Sequence, residues 1–251
     1  MIASPPLTLL IDGPGDGAWN MALDEVLLDE AVESGRSSWR FYQWQHPTLS
    51  LGYFQQAAER TAHRPSRRCP VVRRPTGGGA ILHHVELTYS LILPAGHPLS
   101  RQRQKLYAAV HESLIATLAE NWKIPAVLHR GGPREAAGAA PFLCFRRRAP
   151  GDVLVDAAKI AGSAQRRRRG AVLQHGSVLL DTSPNAPELP GLRELTGREI
   201  HPDALREAWL EVLRRTLAER WEPADLADAA RLQAGELTFG KYTAGWWTQR
   251  R

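Results

Sequence analysis

The stretch "DVLVDAAKIAGSAQRRRRGAVLQHGSVLLD" (152–181) decides the fold, because two β-forming segments flank four consecutive arginines and a glycine. Such a pattern predicts two antiparallel strands, over 152–165 and 170–181, joined by the arginines as a hairpin tip. The arginines could form a nucleic-acid patch, a solvated turn or the rim of a site built around Lys159 and His175. Nucleic-acid readers usually interleave aromatic residues with basic ones, and here the aromatics lie at 39–54 and 242–247. The sequence therefore favours a solvated tip.

The segments around this hairpin predict an α/β (α+β) protein. Residues 7–12, "SWRFYQWQ" (38–45) and "TLSLGYF" (48–54) have the composition of strands. Helices are predicted from Asp16, as the cap, to Ser34, and over 103–122 and 202–220. We expect a mixed, antiparallel-rich central sheet flanked by helices, in one domain over 1–251 with its core at 7–220 and a C-terminal tail at 221–251.

Composition limits the classes of function. The chain has 251 residues, 43% of them hydrophobic, and a formal net charge of +6, which favours an anionic partner such as a nucleic acid, an acidic carrier protein or a membrane surface. Two cysteines are too few for a disulfide framework. No apolar run approaches 18 residues and no signal peptide is recognisable. We therefore expect a cytoplasmic monomer that uses no membrane.

The glycine-rich stretch "RRPTGGGA" (73–80) is a candidate binding loop. Three consecutive glycines permit a close approach of backbone to ligand, and their N–H groups, next to Arg73 and Arg74, can hold an anion or an acyl carbonyl. The stretch is neither a phosphate-binding P-loop nor a dinucleotide fingerprint. A tight hairpin with solvated arginines remains an equal alternative.

Four further side chains are candidates for chemistry. Cys144 follows a turn-rich loop predicted over 129–143 and precedes Arg146, Arg147 and Arg148; positive charge near a thiol favours the nucleophilic thiolate. Lys159 is one of only four lysines and could hold a thioester, carboxyl or phosphate oxygen. His175 could act as an acid, a base or a hydrogen-bonding support. Alternation in a strand points either His83 or His84 inward. A buried hydrophobic cysteine, an edge lysine and an ordinary histidine are the alternatives, and no metal site is predicted.

Three separated blocks, in order, resemble the biotin/lipoate A/B protein ligase family: "NMALDEVLL" (20–28), "VVRRPTGGGAILHHVELTYSLI" (71–92) and "CFRRRAPGDVLVDAAKIAGSAQRRRRGAVLQHGSVLLD" (144–181). The spacing of Cys144 and Lys159 is similar to that in the cysteine-dependent octanoyltransferase branch. The resemblance implies a catalytic domain of that family's fold, with Cys144 and Lys159 catalytic. Substrate-binding residues are then expected at Arg73, Arg74, Thr76, Gly77, Gly78, Gly79, Ala80, His83, Gly162, Ser163, Ala164, His175 and Gly176.

The same resemblance implies a reaction and its partners. An octanoyl (or lipoyl) group would arrive as a thioester on an acyl carrier protein or a glycine-cleavage H protein, form an acyl-enzyme at Cys144, and pass to a lysine of a lipoyl domain. Lys159 and the N–H groups of Gly77–Gly79 are candidates to stabilise the oxyanion, and residues around Ile81 to line the acyl slot. No cofactor is expected.

Two other functions stay open. One is an ATP-dependent lipoate–protein ligase that forms an acyl-adenylate and would need ATP and Mg. The other is a non-catalytic basic binding module of the same fold, in which neither Cys144 nor Lys159 matters.

Overall fold

A computed structural model of the protein describes residues 6–131, 141–217 and 220–250. Within them, the strands are β1 (Leu7–Gly15), β2 (Ser38–Trp44), β3 (Thr48–Leu51), β4 (Val71–Arg73), β5 (Ile81–His83), β6 (Glu86–Leu93), β7 (Val127–Leu128), β8 (Val153–Val155), β9 (Ala158–Arg168), β10 (Ala171–Leu179) and β11 (Trp221–Pro223). One large sheet has the strand order β11-β1-β2-β6-β10-β9-β8-β7 and a small sheet has the order β4-β3-β5. In the large sheet β1 runs parallel to β2 and β11, whereas all neighbouring strands in the series β2-β6-β10-β9-β8-β7 are antiparallel. The predicted mixed, antiparallel-rich sheet is confirmed.

Helices cover both faces of the large sheet: α1 (Gly17–Ser34), α2 (Arg103–Trp122), α3 (Leu192–Thr196), α4 (Pro202–Leu217), α5 (Asp228–Leu237) and α6 (Gly245–Thr248). The predicted caps of α1 are confirmed: Asp16 accepts a hydrogen bond from the Trp19 N–H at 2.9 Å, and Gly35 ends the helix with φ 69°.

Alternation along β2 divides the core into two layers. Trp39 and Phe41 pack against Trp209 of α4, whereas Tyr42 and Trp44 belong to the cluster around Met21 of α1. Successive side chains of a strand point to opposite faces, so one short segment contributes to both layers. A cavity lies on the α1 side, between the large sheet and the glycine-rich loop.

The hairpin 152–181 differs from the prediction in its first strand. A single strand over 152–165 is wrong, because the chain reverses at Asp156, which has φ 51°, and continues as β9. Leu154 therefore pairs with Lys159, and Val155 with Ala158. Aspartate tolerates the left-handed region better than most residues, so this turn forms without the glycine or proline that would mark it in a sequence.

The arginine run at the tip is only partly solvated. Arg167 and Arg169 are exposed, as predicted. Arg168 instead forms ion pairs with Glu25, at 2.6 Å, and with Asp29, and Arg166 lies over the Tyr53 ring. The predicted solvated tip is therefore wrong for these two residues, because α1 and the loop after β3 supply them with partners.

The C-terminal tail packs back onto the sheet and α1. β11 adds a parallel strand beside β1. Glu25 of α1 accepts hydrogen bonds from Lys241 and Tyr242, each at 2.6 Å. Of the loop predicted over 129–143, residues 132–140 lie outside the described residues, so that part stays a prediction.

Candidate active site

Cys144, Lys159 and Asp152 lie in one row at a cavity. The Lys159 amine is 3.9 Å from the Cys144 sulfur and 2.9 Å from an Asp152 carboxylate oxygen. The Lys159 and Asp152 side chains are buried, whereas Cys144 is partly accessible. Lys159 also lies over the Phe145 ring, with its nitrogen 5.1 Å from the centroid. The buried Asp152 carboxylate thus compensates the charge of the Lys159 amine and holds that amine beside the Cys144 sulfur, the accessible nucleophile of the three side chains.

Backbone hydrogen bonds place Cys144 against the glycine-rich loop. The Cys144 N–H donates to the Ala80 carbonyl at 2.7 Å, and the Ala80 N–H donates to the Phe142 carbonyl at 3.1 Å. The sulfur lies 4.0 Å from where a Gly78 side chain would begin. Ala80 therefore acts through its backbone, and it holds the thiol next to Gly78.

Arg74 supports the glycine-rich loop from within. Its guanidinium donates to the carbonyls of Gly77 at 2.9 Å, Gly79 at 2.6 Å and Ser50 at 3.0 Å. Burial lowers the pKa of Arg74 to about 10, a shift that the nearby Cys144 opposes. Gly78 has φ 96°, and a Cβ there would lie 2.9 Å from the guanidinium, so this position requires glycine.

The positive charge next to the Cys144 thiol comes from Lys159 and not from the arginines that follow Cys144 in the sequence. Arg147 donates to the Pro141 carbonyl at 2.7 Å, and Arg146 and Arg148 are exposed. Lys159 is the cation in hydrogen-bonding distance of Cys144. Neighbours in sequence point outward here because Cys144–Arg146 form a single turn of 3₁₀ helix.

His175 belongs to a buried chain of hydrogen bonds. One ring nitrogen, Nδ1, is 2.8 Å from an Asp24 carboxylate oxygen, and the other, Nε2, is 2.7 Å from the Thr76 hydroxyl. Burial alone would raise the pKa of Asp24, but the hydrogen bond to His175 and the charge of Arg40 outweigh it, so the pKa lies below its usual value. The ionised carboxylate fixes the ring and makes Nδ1 the protonated nitrogen.

His83 forms a second histidine–carboxylate pair. Its Nδ1 is 2.6 Å from a carboxylate oxygen of Glu86, and its Nε2 is 2.7 Å from the Ser50 hydroxyl. The imidazole ring stacks on the Trp44 ring, with 3.8 Å between the two centroids. Burial lowers the pKa of His83, although Glu86 opposes the shift. His84, by contrast, points away and bonds to Ser183. The predicted alternation of these two histidines is confirmed.

Ser163 belongs to a third chain, in which the proton positions follow from chemistry. The Gly151 carbonyl, 2.5 Å from His111 Nδ1, can only accept, so Nδ1 carries the proton and Nε2 accepts from the Ser163 hydroxyl at 2.6 Å. The Ser163 oxygen then accepts from the Tyr89 hydroxyl at 2.6 Å. Burial lowers the pKa of His111 to about 4, which agrees with a neutral ring. The Ser163 side chain is thus fixed by the protein.

These groups share a cavity that encloses about 510 Å³ of empty space, including its mouth. Eleven predicted site residues line it: Arg74, Gly77, Gly78, His83, Cys144, Lys159, Gly162, Ser163, Ala164, His175 and Gly176. Ile81, predicted near the acyl slot, is also in the lining. The remaining wall comes from Met21, Tyr42, Trp44, Thr88, Phe145 and Ser177. The cavity is therefore polar near the thiol and largely apolar towards α1, which suits a fatty-acyl chain.

Four predicted site residues lie outside this lining. Arg73 donates to the carbonyls of Gly52 at 2.8 Å and Thr248 at 3.0 Å, so it ties α6 to the loop after β3. Thr76 bonds to His175, and Gly79 and Ala80 support the loop and Cys144. These four residues support the side chains and loops of the site without lining the cavity.

Three carboxylates of the site were not among the predicted residues: Asp24, Glu86 and Asp152. Asp24 is one of five acidic residues in α1, so its charge alone did not single it out in the sequence. Asp152 becomes a partner of Lys159 only through the turn at Asp156, which the sequence does not mark.

The described residues contain no helix long and apolar enough to cross a membrane.

The model of the lipoyl protein ligase A/B catalytic domain family matches residues 16–189. The chain belongs to this family. It is 33% identical to the octanoyltransferase LipM of Kyrpidia tusciae, with 97% of this chain and 98% of that protein covered. It is 32% identical to the octanoyltransferase LipM of Geobacillus kaustophilus, with 93% and 94% covered.

Solved structures confirm the predicted fold. A bi-partite lipoate protein ligase from Thermoplasma acidophilum superposes with a TM-score of 0.73 at 19% identity, covering 98% of this chain and 97% of that one. A lipoate-protein ligase A bound with ATP gives a TM-score of 0.76 at 21% identity, with 98% and 99% covered. At these identities the likeness concerns the fold, whereas the family membership rests on the sequence.

Proposed function

We propose that this protein is an octanoyltransferase of protein lipoylation that works through an acyl-enzyme on Cys144. The observation that carries the proposal is the Lys159 amine 3.9 Å from a partly accessible thiol, in the lining of a largely apolar cavity. The relatives named octanoyltransferase, which match nearly the whole chain, support it. Since no helix suited to a membrane occurs in the described residues, we also propose that the reaction takes place in the cytoplasm.

In the first half-reaction, the Cys144 thiolate attacks the carbonyl carbon of an octanoyl thioester on a carrier protein. A C–S bond forms, the carbonyl oxygen becomes an oxyanion, and the bond to the carrier sulfur then breaks. Lys159 and the N–H groups of Gly77–Gly79 are the donors we assign to the oxyanion. Asp152, 2.9 Å from the Lys159 amine, holds that amine in place, so that the donor is already positioned when the oxyanion develops.

In the second half-reaction, the amine of a lipoyl-domain lysine attacks the acyl-enzyme carbonyl. An amide bond forms, Cys144 leaves as thiolate, and the amine gives up one proton. We assign that proton to Nε2 of the cavity-lining His175, which would accept it in place of the hydrogen bond from the Thr76 hydroxyl while Asp24 holds Nδ1. The net reaction exchanges a thioester for an amide, so neither ATP nor a cofactor takes part in it.

Mass spectrometry of the intact protein tests the proposal. Incubation with octanoyl-carrier protein and no ATP should add one octanoyl group, which peptide mapping should place on Cys144 and which Cys144→Ser should lack. Addition of a lipoyl domain should then discharge the enzyme and label the domain. Labelling of the domain only with free octanoate and ATP would replace this proposal with the ligase reaction.

A further inference from the structure

A group of aromatic side chains lies next to Gly77, one of the residues that line the cavity. The Phe54 side chain is 66% exposed, and its ring lies 3.8 Å from where a Gly77 side chain would begin, beside the cavity wall. Trp246, 64% exposed, contacts Trp247, whose ring in turn contacts Tyr53. Large exposed aromatic side chains grouped beside a site are typical of a surface that another molecule covers.

Two arginines complete this surface. The Arg166 guanidinium lies 5.2 Å from the Tyr53 ring centroid, and the Arg250 guanidinium lies 4.4 Å from the same ring and 4.9 Å from that of Trp247. Among the described residues, neither arginine has a carboxylate within ion-pair distance, whereas Arg168 has two. The positive charge of Arg166 and Arg250 therefore lies on aromatic rings, and no acid of the described residues pairs with it.

We propose that Tyr53, Phe54, Arg166, Trp246 and Arg250 form the docking surface for the donor, an acidic carrier domain that holds its acyl group on a phosphate-bearing arm. This inference rests on the proposed function. Carboxylates and a phosphodiester are the groups that an arginine guanidinium binds with two parallel hydrogen bonds. The position of the surface beside Gly77 lets a docked donor reach Cys144 with its arm, while its acyl chain enters the cavity.

The test compares two octanoyl donors in the rate at which they acylate Cys144. One is octanoyl-carrier protein, and the other is the octanoyl thioester of N-acetylcysteamine, which has neither a protein surface nor a phosphate. Arg166→Glu and Arg250→Glu should each lower kcat/KM for the carrier donor about tenfold and flatten its dependence on salt. Both variants should leave the small donor within about twofold of the parent.

The arginine run supplies matched controls. Arg167→Glu and Arg169→Glu make the same change of charge at exposed neighbouring positions and should alter the carrier reaction by less than about twofold. Arg166→Gln, which removes the charge without reversing it, should have an intermediate effect. Phe54→Ser should raise KM for the carrier donor without changing acylation by the small one.

Several outcomes would overturn the docking surface. These are equal effects at Arg166 and Arg167, equal effects on both donors, or an effect confined to the later transfer to the lipoyl domain, which would make the surface an acceptor site. A parent protein that fails to acquire octanoyl on Cys144 from either donor would contradict the proposed function instead.

Discussion

Gly162 fixes the position of the Lys159 amine, to which we assign a catalytic role, and Gly162→Ala tests that assignment. The Lys159 side chain lies directly over Gly162: a Cβ at that position would be 2.4 Å from Lys159 Cε and 2.7 Å from its Nζ. An ordinary contact begins at 3.4 Å, so the amine end of Lys159 must move by about 1 Å. The backbone of Gly162 has no positive φ, and alanine fits it without strain.

The expected loss of activity follows from that displacement. A shift of about 1 Å in a positioned catalytic group can cost about 100-fold in rate, which is also the lower range for losing one oxyanion donor. We therefore expect acylation of Cys144 to slow about 100-fold, or about 2.7 kcal/mol of transition-state stabilisation. The free energy of unfolding should fall by about 1–3 kcal/mol, the usual cost of an added methyl group in a packed site, because the end of Lys159 must move and the Asp152 carboxylate lies 3.1 Å from the new Cβ.

The measurement is single-turnover acylation by octanoyl-N-acetylcysteamine, followed by mass spectrometry, together with urea unfolding of the same variant. Gly13→Ala is the matched control, since a Cβ at Gly13 meets nothing within 4 Å. An acylation rate of Gly162→Ala within about threefold of the parent would refute the role assigned to the Lys159 position. A loss of about 3 kcal/mol or more in stability would instead indicate that the buried pair had been broken.

Three further predictions concern other parts of the cavity. His175→Gln should slow transfer from the acyl-enzyme to the lipoyl lysine about 100-fold while acylation of Cys144 stays within about threefold, and equal slowing of both steps would contradict its role as the base. Burial lowers the pKa of His111 to about 4 in the folded protein, against a usual 6.5, so the unfolded chain takes up the proton first as the pH falls. The stability that is present above pH 6.5 is therefore lost towards pH 4, and the free energy of unfolding should fall by about 2 kcal/mol between pH 7 and pH 5. Urea unfolding should show this pH-dependent loss in the parent and not in His111→Gln. Met21→Trp should fill the apolar part of the cavity and lower the preference for octanoyl over butanoyl thioesters in kcat/KM at least about tenfold, and an unchanged ratio would place the acyl chain elsewhere.

The histidines and carboxylates show where prediction from the sequence stopped. His83 and His175 were candidates, but their partners, Glu86 and Asp24, were not, since Asp24 and His175 are 151 positions apart. Arg73 and Arg74 were equivalent in the sequence. One of them supports the glycine-rich loop and the other holds α6, because consecutive side chains at the end of β4 point in opposite directions.

The four arginines at 166–169 were likewise one run of charge in the sequence, and each has its own environment in the fold. Arg166 stacks on Tyr53, Arg168 pairs with Glu25 and Asp29, and Arg167 and Arg169 are exposed. Alternation along β9 and the turn at Gly170 separate them.

The sequence by itself determined the elements and the residue types of the chemistry: strand and helix periods, the caps of α1, the glycine-rich loop, and Cys144 and Lys159 at family spacing. These are local properties, set by backbone preference and by patterns within a few residues. Only the tertiary structure decided that Asp152 pairs with Lys159, that Asp24 holds His175, and that Arg166 and Arg250 lie over the same Tyr53 ring. Such contacts join residues far apart in the chain, or across an unmarked turn, and they follow from strand register and packing, which no local pattern encodes.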